Sequence, residues 1–237
     1  TITTNTGTGS PLFSTGYVSN NLTNTVKPAT ILITGGLTLS GLGLSLTGTS
    51  GNLITLGSTN TTAVTFQAYT SSAQTSSYCS VSYITGSTTP VSGSGVTWRF
   101  LNSTNGGNNT NLSFGKIYYW VGGTGTWDNT TTTHWSLTSG GTGNQGPPTS
   151  ADDVIFDANS NSTAYTVTVP STGTGVCFNM NVAGPTTGQV TLTGSVSSLY
   201  VYGSVTLSGN ATNGGVTINS VYLYLAGTVS GLTLTTN

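Results

Sequence analysis

Charge is what this sequence most lacks. Of 237 residues only 3% are charged, against roughly 25% in an ordinary globular protein. Glutamate is absent; the acids are Asp128, Asp152, Asp153 and Asp157, and the bases are Lys27, Arg99 and Lys116. Nucleic-acid binding depends on clustered Lys and Arg that release counterions, and three dispersed bases form no such patch. The same shortage weakens docking to anionic membranes, and no apolar run is long enough to span a bilayer. The single histidine, His134, has no Cys, second His or Glu near it in sequence, which speaks against a metal site or a catalytic base. "VSGSGVT" at 91 to 97 matches a nucleophile elbow by composition alone, with no strand-to-helix setting, so nucleophilic catalysis is not expected. Two cysteines, Cys79 and Cys177, are too few and too far apart for a disulfide scaffold; both sit in strand-like runs and read as buried free thiols. No cofactor is expected.

Helix signals are nearly missing as well, because Thr, Ser, Gly, Asn and β-branched residues all disfavour helix interiors. Disorder is not the reading, since 34% of residues are hydrophobic and the chain holds eleven Tyr and four Trp, whereas disordered chains are charged and poor in such residues. The apolar residues alternate with polar ones: "TILITGGLTLSGLGLSL", "AVTFQAY", "YTVTVPS", "LYVYGSVTLSG", "VTINSVYLYLAG". These are short strands separated by Gly, Asn and Ser turns. The spacing also repeats. Ile31, Leu42 and Leu44 have apolar counterparts one constant step further on, at Leu53, Val64 and Phe66. Near the end, "LYVYGSV" (199 to 205) aligns with "LYLAGTV" (223 to 229) at a slightly longer step. A coil of a parallel β-helix uses roughly 20–25 residues and rests on the previous coil.

The expected fold is therefore all-β: parallel β-helix or β-solenoid segments interrupted by a Trp/Gly/Pro-rich cassette, with β-sandwich modules as the alternative. Three parts are distinguished: a first β-solenoid module at 1–115, the Trp/Gly/Pro/Asp cassette and its strand at 116–170, and a second solenoid run at 171–237. The Asn-Gly-Gly-Asn-Asn cluster at 105 to 109 suits positive-φ turns. Pro147-Pro148 points to an extended approach to the strand "DDVIFD". Both ends of the sequence read like the inside of a strand-and-turn array, so the chain is expected to be a piece of something longer.

Three features are candidate sites. Trp120, Trp127 and Trp135 either form an aromatic platform on which sugar rings stack or fill a small core as a clasp where a coil cannot; the clasp, with Pro147 and Pro148, is preferred. Asp153 and Asp157 fall on one strand face and Asp152 on the other. Calcium needs six or more oxygens, so Asp153 and Asp157 are only weak candidates, and a glycosidase pair would need two carboxyl groups at a defined separation across a bond; capping of turn amides is preferred. Tyr200, Tyr202, Tyr222 and Tyr224 alternate in two successive coils and read either as packing ladders or as a strip that contacts a sugar or receptor.

One order of motifs goes beyond composition. "PATILITGGLTLSGLGLSLTGTSGNLITLGS", "VTWRFLNSTNGGNNTNLSF", "YYWVGGTGTWDNTTTTHWSLTSGGTG", "PPTSADDVIFDANSNSTAYTVTV" and "VCFNMNV" follow one another. Over residues 28 to 182 this resembles the long Thr/Gly-rich β-solenoid proteins of tailed bacteriophages and some environmental bacteria. His134 stands where that group has Asn, and Leu112-Ser113-Phe114 replaces its Trp-x-Phe. The resemblance implies a structural protein of a virion or cell surface and no reaction. It also implies other virion or surface chains as partners and a homo-oligomer such as the trimer common in phage fibres; cell-surface glycan is a further candidate partner, from the aromatic residues and not from the resemblance.

Overall fold

Short Thr-aliphatic runs make rungs because every circuit of the chain returns to the same place one strand spacing further on. In this computed structural model the described residues are 43–172, 174–208 and 216–226, together with position 35 and strand segments at 2–3, 12–13, 16–18, 22–24, 29–33, 37–39 and 234–236. None of them is helical, and nearly all strand pairings are parallel. The architecture is a β-solenoid, not a pair of sandwiched sheets. Two compact units divide between Gly115 and Lys116.

In the first unit, one sheet stacks Leu12–Phe13, Ala29–Ile33, Ile54–Ser58, Cys79–Ser82 and Thr104–Asn105. A second stacks Gly16–Val18, Leu37–Leu39, Val64–Ala68 and Ile84–Gly86, and a third carries Gln74–Ser77, Trp98–Leu101 and Leu112–Gly115. Alternation sends every second side chain inward, so the core is a set of ladders. Ile31, Leu56 and Val81 are register partners at equal steps along the chain, and all are fully buried. Phe100 stacks on Phe114 at 5.6 Å. The step expected from the sequence in this unit does not carry over: Ile31 lies opposite Leu56 rather than Leu53, and Phe66 lies opposite Leu37. Leu42 lies outside the described residues.

Corners use single residues in the left-handed region, and they recur once per coil. Tyr78 (φ 52°) is followed one coil later by Asn102 (φ 49°), and Tyr83 (φ 58°) by Asn108 (φ 56°). Where backbone pairing lapses, side chains replace it. Gln74 Oε1 accepts from the Leu44 amide (2.8 Å), Ser76 Oγ from Leu46 (3.0 Å) and Asn109 Oδ1 from Ile84 (3.0 Å).

The second unit is built the same way. One sheet runs Ile117–Trp120, Asp153–Phe156, Met180–Ala183, Val205–Ser208 and Leu234–Thr236, with Trp135–Ser136 added antiparallel to Ile117–Trp120 at its edge. The other stacks Gly125–Thr126, Tyr165–Val169 and Val190–Val201; Tyr165–Val169 pairs with the first half of Val190–Val201 and Thr174–Cys177 with its second half, and Val216–Leu225 also pairs with Val190–Val201. The cassette and the run after residue 170 share one hydrophobic core. Here the alignment read from the sequence holds: Leu199, Tyr200 and Val201 pair with Leu223, Tyr224 and Leu225.

Candidate functional site

The cassette strand Ile117–Trp120 forms the first rung of the second unit's sheet, and the segment after Trp127 folds back to lay Trp135 opposite Trp120. Trp120, Trp127 and Trp135 are all fully buried. Trp135 meets Trp120 edge-to-face at 5.0 Å and Trp127 at 5.3 Å, and Phe156 stacks on Trp120 at 5.6 Å. Such pairs favour edge-to-face or offset geometry because the ring face is negative and the edge positive. The Trp120 indole donates to the Gly123 carbonyl (2.6 Å), while those of Trp127 and Trp135 have no partner. An unmade buried bond costs about 1–3 kcal/mol, so ring packing must outweigh it. No indole face is open to a sugar.

His134 lies flat on Trp120 at 4.8 Å, with Nδ1 2.7 Å from the Val121 carbonyl. A methyl group at Gly125 would overlap this imidazole, which explains a glycine there. Pro148 is buried and Pro147 half-buried, and the Gly146–Pro147 peptide is cis, which the sequence did not reveal.

The four carboxylates do one kind of work. Asp128 accepts from the amides of Thr130 (2.8 Å) and Thr131 (2.5 Å). Buried Asp152 accepts from the amides of Lys116 (2.6 Å) and Thr149 (2.8 Å) and from the Thr149 hydroxyl (2.7 Å). Asp153 accepts from the Asn179 amide (3.1 Å), and Asp157 from the Asn159 amide (2.9 Å) and the Ser139 hydroxyl (2.7 Å). Burial pulls the Asp128 carboxyl upward, but the Thr131 and Thr130 bonds outweigh it and hold it below the usual value. Asp152 shares the inward face with Val154 and Phe156, while Asp153 and Asp157 are half-buried on the other, as strand alternation predicts. As one calcium site Asp153 and Asp157 fail on distance: the strand between them sets them about 13 Å apart, whereas calcium ligands sit about 2.3–2.6 Å from the ion. Among the described residues no group of three or more His, Cys, Asp or Glu is gathered to hold a metal. Cys79 and Cys177 are free and buried, and burial pushes the Cys79 thiol up to about 12 against a hydrogen bond with Ser103 that lowers it.

The tyrosine strip is only partly a ladder. Tyr200 and Tyr224 stack at 5.0 Å and 14°, and Tyr222 tilts against Tyr224 at 6.3 Å. Tyr222 lies opposite Ser198, and Tyr202 falls just past the strand's end at Val201, so the second expected ladder does not form. Beside the strip a cleft of about 240 Å³ is lined by Val196, Ser220, Val221 and Tyr222. Val196 and Ser220 are the corner residues of successive coils, at φ 59° and 55°. The sequence did not mark this corner, because Val is unusual at positive φ.

The chain matches no family model, no curated protein and no solved structure. No described helix is long and apolar enough to cross a membrane.

Proposed function

We propose that this chain is a non-enzymatic structural protein of a bacteriophage particle: a fibre, tail component or capsid-surface decoration. One observation carries the reading. All four carboxylates of the chain accept backbone amide bonds, so its acids serve shape. Three further features support it. Stacked parallel rungs bury one core within each unit. A surface of Thr, Ser and Asn is indifferent to salt and pH. The cassette resembles that of phage solenoid proteins. Its partners on this reading are other virion chains, including copies of itself, with a trimer as the form that phage fibres suggest.

A second reading is a secreted bacterial adhesin or surface repeat protein that touches a glycan. Exposed Tyr222 and Tyr224 on an uncharged strand favour it, since sugar rings stack on such groups. Density-gradient fractionation of the source material, with mass spectrometry for peptides of this chain, separates the two. Co-sedimentation with DNA-filled particles at the stoichiometry of a repeated component is expected. Peptides found only with cell envelopes or shed filaments would sink the virion reading.

A further inference from the structure

One face of the second unit carries threonine in two dimensions. The rungs Gly125–Thr126, Tyr165–Val169, Val190–Val201 and Val216–Leu225 pair in parallel, with Gly125, Val167, Leu192 and Ile218 in line and no break in register over this stretch. Val167 and Leu192 are fully buried, so alternation turns the residues on either side of that row outward. On one side the outward column is Thr126, Thr168, Thr193 and Asn219. On the other it is Thr166, Thr191 and Thr217. Thr124 extends that column, its hydroxyl accepting from the Thr166 amide at 3.2 Å. Thr-x-Thr thus recurs on three successive rungs as "TGT", "TVT" and "TLT", with "TIN" on the fourth. Every position in the two columns is exposed or half-buried.

The array has a lattice. Its groups repeat at about 4.8 Å from rung to rung and at about 6.7 Å along each strand. Ice presents water oxygens in rows with two repeats close to these. Threonine also suits the task. Its branched Cβ leaves few rotamers, so the array is held in place before a ligand arrives. Each side chain joins a hydroxyl that bonds water to a methyl that water must enclose. No charged residue stands in these rungs, and beyond Asp157 the chain has no Asp, Glu, Lys, Arg or His at all; a charge would gather a hydration shell of its own and spoil the match. Composition alone does not produce the pattern. In the first unit Thr30, Thr55, Ser80 and Thr104 form one outward column, but the column beside it is Leu32, Gly57 and Ser82.

We propose that this face binds ice: its ligand is the ordered water of a crystal surface, and the two threonine columns are the contact. Hydroxyls at lattice spacing take up positions in the crystal's hydrogen-bonded layer, and the methyl groups between them exclude disordered water. The inference is independent of the virion reading.

Ice-affinity partition and ice-recrystallisation assays of the 237-residue chain test it. The chain is expected to enter slowly grown ice in preference to an inert protein of similar size, and to slow recrystallisation. Thr193→Lys places a charge within the array and should raise the concentration needed by about tenfold or more. Thr168→Tyr stands proud of the array and should do the same. Thr55→Lys, on the first unit's single column, should leave the effect unchanged. Circular dichroism melts check the fold of each variant. Should Thr193→Lys fail to fold, Thr168→Tyr carries the test, since tyrosine favours strands. A parent chain excluded from ice like the inert protein overturns the proposal. So does activity that survives both array substitutions, or an equal loss in Thr55→Lys.

Discussion

Asp152 shows how much one side chain holds in a chain so poor in charge. Its two oxygens gather the amides of Lys116 and Thr149 at the start of the second unit. Asp152→Ala strands those donors, and urea unfolding should show a loss of about 1–3 kcal/mol. Asp153→Asn keeps an acceptor for Asn179 and should change stability much less. The thiols make a second residue-scale prediction. Cys79 and Cys177 are fully buried, and only the thiolate reacts. A thiol reagent at pH 8 should therefore read both cysteines after denaturation and neither before. Burial raises Cys79 from an ordinary 9.0 to about 12, and Tyr165 from 10.0 to about 12 against the opposing Ser160 hydroxyl. For both groups the folded value lies above the unfolded one. Their stabilising contribution is complete below pH 9 and 10 respectively, and is lost as pH rises toward 12. Alkaline melts should show stability that is flat through neutral pH and falls across that window.

At the scale of elements, corners decide register, and they were only half legible in sequence. Asn102 and Asn108 sit at positive φ, where Asn is tolerated because its short side chain bonds locally, and the Asn/Gly cluster announced such turns. Tyr78, Tyr83 and Val196 do the same work without announcing it. Alternation identified the strands, since it follows from which side chains face inward, but alternation carries no information on which strands pair. Coil lengths vary as well. The step from Leu22 to its partner Leu44 is shorter than that from Ile31 to Leu56, and the step from Leu37 to Phe66 is longer than either. A single offset therefore misaligned the first unit, while near the end an even spacing made "LYVYGSV" over "LYLAGTV" readable. Val196 is the exposed corner whose residue fits worst. Val196→Asn relieves the clash of a branched side chain at φ 59° and should stabilise the fold by about 1 kcal/mol. Asn102→Val should do the opposite by a similar amount, both read as shifts in thermal midpoint.

At the scale of the whole molecule, the described side chains form ladders inside each unit, carboxylate caps on turn amides and an aromatic knot where the first rung of the second unit begins. The three tryptophans were visible in sequence as a cluster, but not their depth. Burial comes from Trp135 returning antiparallel on Trp120 and from Phe156 joining through the next rung, contacts that no local pattern encodes. The most direct measurement is equilibrium urea unfolding of Trp135→Ala beside the parent chain, followed by circular dichroism. Removing a fully buried indole that touches Trp120, Trp127, Tyr118 and Phe156 should cost about 3–5 kcal/mol and shift the second unit's transition to markedly lower urea. A Trp135→Ala chain that unfolds at the parent's midpoint would contradict the structural account and reopen the cassette as a binding surface.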